Sequence, residues 1–281
     1  MIYNRHRANC NRQLFMETKA RPSSAAKTAL LQPGKAFNFW RRTGSRVWIE
    51  ALFCDSRAYQ RHVAELLETR LLENLTTQLN CKFSKITGTT SRGNRYTPGA
   101  MLSAQASHLY AIIRERKPRV IIETGVCNGL SSAIALAALA RNNFGHLYSI
   151  DLPEFTGQSN AVQRFWSGKG GAVVPADQCS GWLVPEALRG RWTLRLGKSS
   201  ELLPKLLDEV SPVNLFIHDS EHSFENQLFE FRAAFARLTT GGVIFASDIN
   251  WSKAFDVFAG EVSQQARKFF IDYSLGLVVR N

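Results

Sequence analysis

The sequence predicts an α/β fold: a Rossmann-like, doubly wound and mainly parallel sheet with helices on both faces. Three observations predict it. Short apolar runs that read as buried strands alternate with helical runs along residues 119–248, the pattern of a parallel sheet covered on both sides. Four of these runs end in or beside an acid, at Glu123, Asp151, Asp219 and Asp248. After the first comes a glycine loop, Gly125-Val-Cys-Asn-Gly129. A loop of that kind, between the carboxyl end of a buried strand and a helix N-terminus, is where an open α/β sheet binds nucleotide-like ligands.

The elements follow in order. Residues 57–75 read as one amphipathic helix, with Tyr59, Val63, Leu66, Leu67, Leu71 and Leu75 at helical spacing. Thr97-Pro98 starts a second helix running to residue 115, with proline at a favoured first position. Residues 119–124 form the first strand, 130–140 the helix after the glycine loop, and 146–150 a second strand closed by Asp151. A third strand at 192–196 leads through Gly197-Lys-Ser-Ser into a helix that ends near residue 207. The fourth strand spans 213–219. The helix after it, 224–238, carries Phe224, Leu228, Phe231, Phe235 and Leu238 on one face, with Ser223 as N-cap and Glu225 in the first turn. Gly241-Gly242 reads as the stop before a fifth strand at 243–248, and residues 268–273 and 275–279 read as two final strands. This divides the chain into a basic extension (1–46), a helical N-terminal cap (47–116) and the sheet domain (117–281). Within the last, residues 151–191 form a lid-like insertion carrying Phe155, Phe165, Trp166, Trp182 and the glycines Gly168, Gly170 and Gly171.

Composition narrows the function. The chain has 281 residues, 44% of them hydrophobic, which suits one α/β domain with an appendage. Its five cysteines, Cys10, Cys54, Cys81, Cys127 and Cys179, form no C-x-x-C pair and no metal-ligand spacing, so a reducing, cytoplasmic setting is expected. The longest aliphatic run, 133–140, is far short of the roughly 20 residues of a membrane span. The net charge of +12 suggests nucleic acid until it is located. Residues 1–46 hold ten Lys/Arg against one acid, Glu17, and so account for nine of the twelve charges. The sheet domain is nearly balanced, which argues against nucleic acid as its partner. The extension reads as a solvated, poorly ordered segment.

The loop discriminates between ligands. A dinucleotide fingerprint wants G-x-G-x-x-G, whose second glycine lets the backbone approach a pyrophosphate; Cys127 occupies that position. Glu123, two residues before Gly125, would repel a diphosphate but not a sulfonium-bearing amino acid. The loop resembles the E/D-x-G-x-G-x-G signature of class I S-adenosylmethionine-dependent methyltransferases, departing from it at Cys127. Three further stretches resemble the small-molecule branch of that class, which includes rhamnosyl O-methyltransferases and cephalosporin-hydroxylase-like proteins. They are His218-Asp-Ser-Glu-His-Ser-Phe-Glu225 with Gly241-Gly-Val-Ile, then Asp248-Ile-Asn-Trp-Ser-Lys-Ala-Phe255, and Gly181-Trp-Leu-Val-Pro185 leading into residues 191–199. The resemblance covers about residues 97–281. It implies a seven-stranded sheet with an antiparallel last strand, S-adenosylmethionine as cofactor and a small-molecule hydroxyl as acceptor.

Roles follow residue by residue. A methyl transfer needs the acceptor oxygen held in line with the methyl carbon, and a hydroxyl acceptor must lose its proton near the transition state. His222, three residues past Asp219, is the expected base, with Asp219 beside it. His218 points away by strand alternation and reads as a packed structural histidine. Asp151 is expected to accept from both ribose hydroxyls. Glu123 is expected to balance the cofactor charge and Gly125 and Gly129 to allow close approach, while Asn128, Ser131 and the helix N-terminus meet the methionine carboxylate. Ser199 belongs beside the adenine, where Lys198 departs from the family pattern. Magnesium held by Asp219 and Asp248 is conceivable, but Ser247-Asp248-Ile249-Asn250 lacks the adjacent Asp-Asn of the catechol type, and no metal is favoured. The N-terminal helices would cover the site mouth or form a homo-oligomer contact. The competing readings are a nicotinamide-dependent oxidoreductase and a nucleic-acid-binding or nucleic-acid-modifying protein on the same fold.

Overall fold

The computed structural model describes residues 47–87, 101, 103–156 and 173–281. The extension 1–46, the Thr97-Pro98 helix start, and Phe165, Trp166, Gly168, Gly170 and Gly171 of the insertion lie outside them.

Seven strands make one sheet in the order β3-β2-β1-β4-β5-β7-β6. They are β1 (Val120–Thr124), β2 (His146–Asp151), β3 (Trp192–Leu196), β4 (Val213–His218), β5 (Leu238–Ala246), β6 (Ala266–Phe270) and β7 (Gly276–Arg280). The first five run parallel, and β7 is antiparallel to both β5 and β6. β1, at the centre, is buried along its whole length because helices cover both faces.

Strand alternation sorts the core into two layers. Ile121, Leu147, Leu215, Ile217, Phe245 and Leu277 face one layer. It is built from α4 (Ser103–Arg116) and α5 (Leu130–Asn142), with α1 (Val47–Leu52), α2 (Ser56–Glu68) and α3 (Leu71–Thr87) packed outside them. Ile122, Ile150, Phe216, Ile244 and Val278 face the other, which holds α6 (Ser199–Val210), α7 (Phe224–Arg237) and α8 (Ala254–Glu261). Each fully buried leucine or phenylalanine here contributes roughly 1.5–3 kcal/mol. Glu65 of α2 ties the outer helices down, taking Arg114 of α4, Arg141 of α5 and the Tyr110 hydroxyl.

Two expectations are corrected. The single helix over 57–75 is two helices, because Arg70 adopts φ 53° and the Thr69 hydroxyl bonds back to the Leu66 carbonyl while accepting from the Leu71 amide. Apolar spacing runs through such a break unseen. Gly241-Gly242 does not precede the fifth strand but lies within it. β5 starts at Leu238, and its pairing with β4 is irregular between Val213 and Leu215, which accommodates Gly241 at φ 71°.

Candidate active site

All five parallel strands end on one edge, so Glu123, Asp151, Lys198, Asp219 and Asp248 gather there. The glycine loop is folded against its neighbours with little room to spare. Gly125 has φ 86°, and a Cβ on it would lie 2.1 Å from the Asp219 carbonyl oxygen. Gly129 has φ 90°, and its Cβ would lie 2.7 Å from Gly181 Cα. Both glycines are therefore demanded by close approach of protein backbone, from β4 and from the insertion, and not only by a ligand as expected. Cys127, at φ 49°, also occupies the left-handed region that glycine favours, which explains why the family pattern has glycine there. Burial, chiefly, pushes its thiol well above the usual cysteine range, making it inert packing.

The charged and polar side chains of the loop are already engaged. Glu123, fully buried, accepts from the hydroxyls of Ser131, Ser132 and Ser149, each at 2.7 Å. It anchors α5 to β1 and β2, a partner set different from the expected cofactor charge; burial raises its pKa against the pull of the three serines. The Ser131 hydroxyl is thus spent on Glu123. The Asn128 side chain is likewise engaged, donating to Cys127 Sγ and the Val173 carbonyl, both at 3.1 Å, and accepting from Trp182 Nε1 at 2.7 Å. Contacts to a methionine carboxylate would fall to loop and helix-start backbone instead.

Asp151 is the acid at the end of β2. One oxygen accepts from the Val126 amide at 3.0 Å and the other from the Ser180 hydroxyl. Burial raises its pKa, opposed by these bonds. The amides of Cys127 and Leu152 also lower it, so the carboxylate is held by the loop, the insertion and its own strand end. Leu152 and Leu196, 40% and 62% exposed, flank it; Leu196 is the register partner of Asp151. Two exposed apolar side chains thus stand beside the strand-ending acid. Ser199 lies further along, its hydroxyl donating to Asn226 at 3.3 Å. The described part of the insertion is pinned to the loop, through Gly181 N–H to the Cys127 carbonyl (2.8 Å) and Leu183 N–H to the Asn128 carbonyl (3.0 Å).

The second half of the site lies past β4 and β5. His222 is buried, and its Nε2 stands 3.3 Å from Asp248 Oδ2. Asp219, His222 and Asp248 each offer an atom within 4.8 Å of the others. Burial and the neighbouring Asp248 push Asp219 well up, and burial raises Asp248. Burial, then His218, holds His222 well below the usual histidine range, so the ring is neutral. His218 is fully buried, as alternation predicted, with Nδ1 2.7 Å from Glu230 Oε2. Trp251, 43% exposed, tilts over His222 with centroids 5.8 Å apart.

Residues 122–249 match the family model described as a methyltransferase domain. That stretch begins in β1, ends just past β5 and contains the loop, Asp151, Asp219, His222 and Asp248. Over that stretch the chain resembles a methyltransferase domain. No curated protein sequence matches the chain. Among solved structures, an O-methyltransferase from Bacillus cereus in complex with SAH is similar at 15% identity, over 75% of this chain and 90% of that one, with a TM-score of 0.50. The O-methyltransferase TomG from Streptomyces achromogenes, involved in tomaymycin synthesis and solved with SAM, is 14% identical over 86% of this chain and 98% of its own, with a TM-score of 0.48. At these identities the first likeness speaks for the fold, and the strand order with β7 reversed is the class I arrangement. Sequence reasoning missed Ser180, Leu152, Leu196, Trp251 and Glu230. The only signal for the leucines was an apolar residue just past a strand end, where solvent would favour a polar one.

Proposed function

We propose that the protein transfers a methyl group from S-adenosylmethionine to a hydroxyl of a small molecule, with His222 taking the hydroxyl proton. The observation that carries this is the buried His222, whose Nε2 stands 3.3 Å from Asp248 Oδ2 and near Asp219, on the same sheet edge as the strand-ending Asp151. Asp151 would hold the ribose, Leu152 and Leu196 the adenine, and the backbone of the loop and of the start of α5 the methionine carboxylate. When bound, the cofactor supplies an electrophilic methyl on a cationic sulfur. The protein's work is to place the acceptor oxygen in line with it and to receive the proton. An imidazole held below the usual histidine range is neutral and can take a proton without first losing one. The negative potential of Asp219 and Asp248 favours the sulfonium. Sugars, phenols and polyketide alcohols are the acceptor classes to screen with labelled S-adenosylmethionine. His222→Gln should lower kcat by about 10²–10⁴ while leaving cofactor binding unchanged; an unaffected kcat sinks the assignment.

A second reading rests on the same cluster. Two carboxylates, Asp219 raised by burial and by Asp248, and an imidazole within 4.8 Å suit a divalent cation with waters completing its shell. Magnesium-dependent thermal stabilisation, lost in Asp248→Asn, would support it.

The exposed thiols of Cys54 and Cys179 suit a cytoplasmic setting, and no helix among the described residues is long and apolar enough to cross a membrane. A homo-oligomer through the N-terminal helices, where Val47 and Leu67 are exposed, is to be tested by sedimentation.

A further inference from the structure

A polar cavity lies at the other edge of the sheet, where the parallel strands begin. β4 and β5 pair as Val213 with Leu238 and next as Leu215 with Val243, so the four residues 239–242 stand opposite Asn214 alone. None of the four pairs with β7 on the other side. An insertion of that size draws the chain off the ladder, and a cavity of about 180 Å³ opens there. Thr239, Thr240, Gly241 and Gly242 line it from β5, Asn214 from β4 and Arg116 from the end of α4. Five residues of β4 separate Asn214 from Asp219, about 17 Å at 3.3 Å per residue. The cavity is therefore no part of the candidate active site.

Its walls are fixed, and their charge is positive. Arg116 is held by a 2.9 Å bond from Nη2 to the Gly241 carbonyl. Gly241 must lack a side chain for this, since a Cβ there would lie 2.7 Å from that same nitrogen, at φ 71°. The Asn214 side-chain oxygen accepts from the Arg119 and Val120 amides, both at 3.0 Å, while its Nδ2 faces Thr239 Oγ1 at 3.4 Å. The Thr240 hydroxyl has no protein partner among the described residues. Elsewhere the arginines are matched: Arg114 and Arg141 by Glu65, Arg195 by Glu209, Arg232 by Glu261 and Arg237 by Asp208. Arg116, with Lys117 and Arg119 next to it in the chain, has no carboxylate partner among the described residues, and no acid lines the cavity. Capping the Gly241 carbonyl accounts for one N–H of Arg116. It does not account for three unmatched cations beside an acid-free cavity.

We propose that this cavity binds a phosphate group, either the free ion or the monoester of a small molecule. A guanidinium fork alone serves a planar carboxylate. The fork of Arg116 together with the hydroxyls of Thr239 and Thr240 and the Asn214 amide offers donors from three elements, which suits a tetrahedral oxyanion. Arg116, Lys117 and Arg119 together offset a charge of up to −2. The cavity is smaller than the roughly 300–1,000 Å³ of sites for drug-sized ligands, so it fits a phosphate with a small substituent and not a whole nucleotide.

Calorimetric titration of the full-length protein with inorganic phosphate, and separately with glycerol 3-phosphate, tests this, with acetate at equal ionic strength as the control anion. Saturable phosphate binding is expected, weakened at least tenfold in Arg116→Gln, which removes a charge-assisted donor. Thr240→Val keeps the side-chain shape without the hydroxyl and should weaken binding severalfold. Thermal melting without phosphate checks that each variant is folded, and if Arg116→Gln is not, Thr240→Val decides. Tighter binding of glycerol 3-phosphate than of phosphate supports a monoester as the ligand, and equal or weaker binding supports the free ion. Absence of saturable binding of either by the wild type overturns the proposal. So does binding that acetate matches, or binding unchanged in the folded variants, which would put the anion elsewhere on this basic chain.

Discussion

Gly125 shows how one residue couples the two halves of the site. A methyl group added there would lie 2.1 Å from the Asp219 carbonyl oxygen, at a φ that side chains rarely adopt. Gly125→Ala is therefore expected to cost on the order of 3 kcal/mol, and to move the Asp219 backbone with it. Chemical unfolding should show that loss, and calorimetry a weakened S-adenosylhomocysteine affinity in whatever fraction folds. Asp219 behaves oppositely. Its carboxyl is raised well above the usual range by burial and by Asp248. An acid raised on folding stabilises below its unfolded pKa and loses that contribution as pH rises through the folded value. Asp219→Asn should hence melt higher than the wild type at pH 8, with the gap closing as pH falls toward 4. Equal melting curves at pH 8 would show that the charge is already compensated. Residue roles were legible only in part. The placing of Asp151 and His222 on the site edge was legible because a strand-ending acid and a histidine in the loop after a strand are visible as spacing. The engagement of Ser131 and Asn128 with protein partners was not, because it depends on Glu123 and Trp182, distant in sequence from one of them or oriented by burial.

At the scale of elements, the parallel strands and the helices between them were readable because each buried strand is a short apolar run closed by an acid or glycine. The break at Arg70 and the early start of β5 were not, since apolar periodicity continues through the first and two glycines suggested a stop in the second. The outer helices have a testable titration of their own. His108 of α4 packs edge to face on Trp48 of α1 and shares a 2.8 Å hydrogen bond with the Tyr59 hydroxyl of α2. Burial lowers its pKa to about 4. The unfolded chain takes up this proton near pH 6.5, before the folded one does, so the stability is present above 6.5 and is lost as pH falls toward 4. Its size is on the order of 1–3 kcal/mol. His108→Gln is destabilising at pH 7.5, and its deficit in urea unfolding should shrink by that amount by pH 4. A constant deficit would mean the ring stays equally charged in both states. The segment over the loop is held by Trp182; Trp182→Phe removes its bond to Asn128 and should speed S-adenosylhomocysteine dissociation severalfold in stopped-flow measurements.

For the molecule as a whole, charge and chemistry are separated. Nine of the twelve net positive charges belong to residues 1–46, whereas the site edge is acidic, with Asp151, Asp219 and Asp248 opening onto it. That polarity disfavours a phosphate backbone or a pyrophosphate at the site and favours a cationic cofactor, the discrimination already visible in Cys127 and Glu123. The glycine loop, the reversed β7 and the family match over residues 122–249 are mutually consistent with the proposed methyl transfer. The acceptor was not legible, since no residue pattern in the insertion or the N-terminal helices dictates a partner. The measurement that tests the central claim most directly is calorimetric titration of S-adenosylhomocysteine and of NAD into the wild type and Asp151→Ala. Saturable binding of S-adenosylhomocysteine that is lost in Asp151→Ala, with no heat from NAD, is the predicted result. Binding of NAD alone, or S-adenosylhomocysteine binding indifferent to Asp151, would contradict it.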